Sequence, residues 1–60
     1  MNFVKGEKVR VEDGFGKYYA YFNFIFDNSK VMLNTQKTLT GSDILVNIEN
    51  IYKVNSRRVK

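Results

Sequence analysis

Valines and charges alternate strictly along Lys8-Val9-Arg10-Val11-Glu12, which places Val9 and Val11 on one face and Lys8, Arg10 and Glu12 on the other. That period of two predicts a half-buried strand. Asp13-Gly14-Phe15-Gly16 follows as a turn, since both glycines can take positive φ at little cost. The most apolar stretch, Tyr18 to Phe26, comes next. Its even positions (Tyr18, Ala20, Phe22, Phe24, Phe26) are all apolar and its odd positions are mixed. A short run rich in Tyr and Phe between turn signals predicts a second strand, with Phe22, Phe24 and Phe26 facing the core. Asp27-Asn28-Ser29-Lys30 predicts a hairpin turn in which Asn28 tolerates the left-handed region.

A third strand is predicted from Val31 to about Thr38, with Val31 and Leu33 on one face and Met32 and Asn34 on the other. Thr40-Gly41-Ser42-Asp43 turns the chain again. Ile44, Val46 and Ile48 alternate with Leu45 and Asn47 as a fourth strand. Glu49-Asn50 breaks the pattern before a brief fifth strand, Ile51-Tyr52-Lys53-Val54. Five short, evenly spaced strands predict an all-β barrel or sandwich, and closure into a barrel would remove exposed edges.

Two segments carry a resemblance. Phe3-Val4-Lys5-Gly6-Glu7-Lys8-Val9-Arg10-Val11 is similar to the opening of SH3-like barrels of the KOW and Tudor kind, where a Lys-Gly-acidic turn leads into a strand of alternating valines. Val46-Asn47-Ile48-Glu49-Asn50-Ile51-Tyr52-Lys53-Val54 resembles their closing element, a 3-10 turn before a short last strand. The resemblance covers most of residues 3–54 and implies a five-stranded SH3-like barrel, placed at 1–54; residues 55–60 have little to bury and read as a basic, flexible tail. The KOW motif has a glycine early in its second strand where this chain has Ala20. The resemblance therefore implies the barrel and not the KOW function.

Length and composition narrow the reading. Sixty residues hold one domain, a size that buries about 60% of the unfolded surface and yields a core contribution of ~3–5 kcal/mol. Without cysteine or histidine the chain has no disulfide and no common zinc site, so neither metal nor cofactor is expected. The five Phe and four Tyr, each able to bury ~150–250 Å², are the expected source of the core. No apolar run reaches the ~18 residues of a membrane span. A charged pair stands where a signal peptide would place its apolar run, and cysteine is absent. The chain thus reads as a complete, soluble, cytoplasmic protein. Frequent Asn, Lys, Ile, Phe and Tyr are what AT-rich codons encode, which points to a low-GC bacterium or one of its phages.

The net charge is +4, and its location matters more than its size. Six basic and six acidic side chains cancel over residues 1–52. The whole excess sits in Lys53, Arg57, Arg58 and Lys60. Neutralising four phosphates of duplex DNA corresponds to a salt slope of about −3.6, or roughly 150-fold in affinity between ~50 and ~200 mM salt. The same residues read equally as a solvated tail. Lys8 and Arg10 extend the basic surface, flanked by Glu7 and Glu12.

Catalysis is not expected. The usual general base and the strongest nucleophile are missing, and Glu12 and Asp13 are adjacent, so on a strand they face opposite ways. Ser29, Ser42 and Ser56 have no candidate base nearby in sequence. Gly14-Phe15-Gly16 lacks the third glycine of a dinucleotide fingerprint, where Tyr19 stands. It also lacks the basic and aromatic residues of the RNA-binding motif, having Asp13 and Lys17 there. It reads as a tight turn.

The aromatic residues are the better candidates. With Phe22, Phe24 and Phe26 facing the core, Tyr19 and Tyr21 share the outer face, where they stack nucleobases at ~1–3 kcal/mol each or anchor a protein partner. Alternatively, the second strand is long and bent as in such barrels, its two halves bury opposite faces, and the tyrosines bury their rings while the hydroxyls stay wet. Phe15 is either a lid on the barrel end or an exposed contact, and Tyr52 is expected to cap the core. The resulting expectation is a non-enzymatic binding module. Its partner is nucleic acid, single-stranded in preference, contacted through Lys8, Arg10, Phe15, Tyr19, Tyr21, Lys53, Arg57, Arg58 and Lys60. The alternative is a protein-interaction module, such as a phage factor acting on a host protein. No membrane is involved, and the chain is a monomer or a weak homodimer through an edge strand.

Overall fold

The computed structural model describes residues 3–54. Five strands run in the order predicted: β1 (Lys8–Asp13), β2 (Gly16–Ile25), β3 (Lys30–Asn34), β4 (Asp43–Asn47) and β5 (Ile51–Lys53), with a 3-10 turn at Ile48–Asn50 leading into β5. All pairings are antiparallel and the sheet order is β4-β3-β2-β1-β5. The all-β class, the strand number and the 3-10 turn agree with the sequence reading. Among the described residues four ladders connect the five strands, so β4 and β5 remain edges and hydrogen bonds do not close the sheet into a barrel.

One core lies on one side of this sheet. Val9, Val11, Ala20, Phe22, Val31, Leu33 and Ile51 form it, and Phe3, Ile44, Val46 and Ile48 pack against it. The strict alternation in β1 does what its period requires, burying both valines. The aromatic core expected from composition is not there. Of the nine aromatic side chains, Phe22 is the one in the buried cluster, and Phe3 stacks on it at 5.6 Å between ring centroids. The inner face of a short five-stranded sheet encloses little volume, and compact aliphatic side chains fill it at native density.

A bulge in β2 explains where two of the phenylalanines went. Phe22 pairs with Leu33, but the next partner of Met32 is Phe24, so Asn23 is an extra residue on β2. One inserted residue reverses the side on which every following side chain emerges. Phe22 is 6% exposed and Phe24 44% exposed. The expectation that Phe22, Phe24 and Phe26 share the core face is therefore corrected: Phe24 joins the outer side with Met32 and Leu45, and Phe26 lies exposed beyond the strand end. The ammonium of Lys5 donates to both the backbone oxygen of Asn23 (3.0 Å) and its Oδ1 (2.8 Å).

Strand β3 stops at Asn34, short of the predicted Thr38, and Asn34 is buried. Its amide makes four hydrogen bonds. Oδ1 accepts from the Gln36 and Gly41 amides (3.0 and 2.9 Å), and Nδ2 donates to the Gly41 carbonyl and the Asp43 carboxylate (3.1 and 3.0 Å). That is the full capacity of a side-chain amide. The side chain thus replaces a ladder, pulling residues 35–42 into a loop in place of a longer strand.

The turns also differ in detail from expectation. Gly16 has φ +145, whereas Gly14 does not use the left-handed region. The β2–β3 turn rests on Asp27, whose Oδ1 accepts from the Ser29 and Lys30 amides (2.8 and 2.9 Å). Asn28 has no positive φ; among the described residues Leu39, in the 35–42 loop, is the non-glycine residue that does.

Candidate functional site

The outer face of the sheet is where basic and aromatic side chains meet. Because Val9 and Val11 are buried, Lys8, Arg10 and Glu12 emerge on the opposite side. Register then fixes their neighbours. Arg10 stands opposite Tyr19 on β2 and opposite Tyr52 on β5, giving a Tyr52–Arg10–Tyr19 row across three strands. Lys8 stands opposite Tyr21. Directly opposed residues on antiparallel strands share a face at ~4.5–5.5 Å between Cβ atoms, so these five side chains form one contiguous patch.

The rings carry cations. The Arg10 guanidinium lies 5.0 Å from the Tyr52 ring centroid, and the Lys8 ammonium 4.9 Å from that of Tyr19. Tyr19 remains 55% exposed and Tyr52 43% exposed, so both rings offer surface to a ligand. Arg10 Nε also pairs with the Glu12 carboxylate, which offsets part of its charge. Among the described residues Lys8 pairs with no carboxylate. Lys8 is therefore the stronger local source of positive potential. On the other side of the sheet, opposite the buried Val11, Tyr18 holds its proton above the ordinary tyrosine range, chiefly because it is partly buried and further because the Asp13 charge opposes ionisation.

Of the residues singled out from sequence, Lys8, Arg10, Tyr19 and Tyr21 come together as expected. Tyr21 is half-buried and Tyr19 is the more open of the two. Phe15 is fully exposed at the tip of the β1–β2 hairpin, which decides between lid and contact in favour of an exposed side chain. It stands at the far end of β2 from Tyr21 and outside the row. Lys53 does not join the patch. Its register partner is Val9, which puts it on the core side of the sheet edge. There its ammonium bonds Glu7 Oε2 at 3.1 Å and lies 4.9 Å from the Phe3 ring centroid. Arg57, Arg58 and Lys60 lie outside the described residues, as does the tail boundary at residue 55.

Tyr52 was expected to cap the core and instead completes the outer row. Ile51 takes the buried position, and Tyr52, next along the strand, must point outward. The strand is three residues long, too short for its alternation to be read from sequence with assurance of phase. A second outer feature was also missed. Phe24, Met32 and Leu45 form an apolar row across β2, β3 and β4, with Phe24 and Leu45 exposed. The bulge at Asn23 creates it, and no residue type announces a bulge.

Among the described residues no cluster of acidic side chains could hold a metal ion, and no helix is long and apolar enough to cross a membrane. No protein-family model, curated protein or solved structure matches the chain, so the functional reading rests on its own geometry.

Proposed function

We propose that the chain is a small, non-enzymatic binding module of the SH3-like barrel kind that holds single-stranded nucleic acid on its outer face. The observation that carries this reading is the Tyr52–Arg10–Tyr19 row with Lys8 over Tyr19. Exposed rings supply stacking platforms that suit any base, and interleaved cations meet the phosphates between them. The 3-10 turn before the short last strand and the single core fed by all five strands support the barrel reading. Arg57, Arg58 and Lys60 add positive charge from the sequence end, and the lack of cysteine suits a cytoplasmic setting. A gel shift with a mixed-sequence single-stranded oligonucleotide tests the reading. Retardation at ~50 mM salt that fades steeply by ~200 mM supports it, and none at the lower salt overturns it.

A second reading, a protein partner, is favoured by a different observation. The Phe24–Met32–Leu45 row ends on β4, whose outer edge has no strand beside it among the described residues. Such a surface suits a partner that adds a strand to the edge and covers the apolar row. Capture of a partner that withstands high salt and is lost in Leu45→Lys would support this reading over the first.

A further inference from the structure

A cleft of about 480 Å³ opens beside the turn that precedes β1, and Lys5, Lys8 and Lys37 line it together with Gly6, Glu7 and Tyr21. The turn that shapes it runs from Val4 to Glu7. The Glu7 amide donates to the Val4 carbonyl at 3.0 Å, and Gly6 has φ +84, the left-handed conformation a type II turn needs at its third residue. A Cβ built on Gly6 would meet the Lys37 carbonyl at 3.5 Å, so the 35–42 loop comes against this turn and carries Lys37 into the same cleft.

Three lysines thus line one concave site with a single carboxylate. That carboxylate is already engaged: Glu7 Oε1 accepts from the Val4 amide at 3.0 Å and Oε2 from Lys53 at 3.1 Å. Lys5 is held in place by its two bonds to Asn23. The balance of the site is positive, and its size is that of a small organic ligand, within the ~300–1,000 Å³ typical of such clefts. An inorganic anion alone would leave most of it empty. Tyr21 supplies an aromatic wall.

We propose that this cleft binds a nucleoside phosphate, with Lys5, Lys8 and Lys37 around the phosphate and the Tyr21 ring against the base. The nucleotide comes either free or as one residue of a bound strand. In the second case the cleft extends the outer-face site, since Lys8 belongs to both and Tyr21 stands opposite it.

The test is an amide-resolved NMR titration of the full chain with a nucleoside 5′-monophosphate, the parent nucleoside and inorganic phosphate, set beside an oligonucleotide titration. The monophosphate is expected to shift the Gly6, Tyr21 and Lys37 amides, and each of the other two small ligands to bind at least about tenfold more weakly, a difference of ~1.4 kcal/mol. Lys37→Glu is expected to weaken the monophosphate by a similar factor with a nearly unchanged melting temperature, because Lys37 is exposed and lies outside the core. Absence of shifts at those amides, or binding indifferent to Lys37→Glu, or inorganic phosphate binding as well as the nucleotide, would overturn the proposal. Monophosphate binding without oligonucleotide binding means a free nucleotide and sinks only the strand reading. Oligonucleotide binding that depends on Tyr19 but leaves the cleft amides unmoved sinks only the cleft.

Discussion

Phe22 and Phe24 stand two residues apart on β2 and face opposite sides of the sheet, because Asn23 is bulged out between them and grips the Lys5 ammonium. One phenylalanine is core and the other is surface. Truncation should separate them: Phe22→Ala costs about 3–5 kcal/mol, enough to unfold most of a domain this small, whereas Phe24→Ala costs under about 1 kcal/mol. Urea denaturation of the two variants measures the difference, and equal losses would mean that the bulge is misplaced.

The loop after β3 hangs on one side chain and one missing side chain. Asn34→Ala strands the part-buried Gln36 and Gly41 amides that Asn34 Oδ1 satisfies, at a combined cost of about 1–3 kcal/mol. A Cβ on Gly41 would lie 2.2 Å from Thr35 Oγ1 and 3.1 Å from Asn34 Oδ1. Gly41→Ala therefore costs about 1–3 kcal/mol through overpacking. In thermal melts each variant falls by roughly 4–8 °C per kcal/mol for a domain of this size.

Acid should loosen the β2–β3 turn. The hydrogen bond from the Ser29 amide first, opposed by desolvation and helped by the Ser29 hydroxyl and the Lys30 amide and charge, holds the Asp27 carboxyl below its ordinary value of 3.8. A carboxyl with a depressed folded pKa binds fewer protons folded than unfolded, so its stabilisation is present above 3.8 and is lost as pH falls through the folded value. Asp27→Asn should flatten the acid limb of a stability–pH curve without changing the curve near neutrality in shape. A limb of unchanged steepness would assign the acid sensitivity elsewhere.

Much of the fold was legible because period-two patterning is a local signal. Val9 and Val11 alternate with charges, and Ile44 and Val46 alternate with Leu45, so β1 and β4 emerge where expected. The limits of that signal are equally physical. Asn23 and Asn34 are ordinary polar residues in sequence; one reverses the phase of a strand and the other ends a strand by satisfying amides seven residues away. Both act through partners outside their own strands, Lys5 before β1 and Gly41 in the loop after β3. For the candidate site, Lys8, Arg10, Tyr19 and Tyr21 were visible because each sits in a long alternating run. Tyr52 was not, because three residues of β5 do not fix a phase, and for the same reason Lys53 falls on the other side, opposite Val9. Lys5 and Lys37 reach the cleft through a turn and a loop that converge only in the fold.

The row itself can be dissected by charge and by ring. Lys8→Ala and Arg10→Ala each remove one phosphate-facing cation and should reduce the salt slope on single strands by about 0.7, read from affinities measured across a salt series. Lys8→Ala should weaken binding more, because Glu12 already offsets part of the Arg10 charge. Equal slopes in both variants and the parent would place the phosphate contacts off this face.

Fluorescence anisotropy of a labelled single-stranded oligonucleotide, titrated at ~50 mM salt with the parent chain and with Tyr19→Ala, tests the outer-face assignment most directly. Tyr19 is exposed and lies outside the core, so its loss should leave the melting temperature nearly unchanged. The expected result is binding by the parent that Tyr19→Ala weakens by ~1–3 kcal/mol, or roughly 5- to 150-fold. No binding by the parent, or equal affinity in the folded variant, would contradict it.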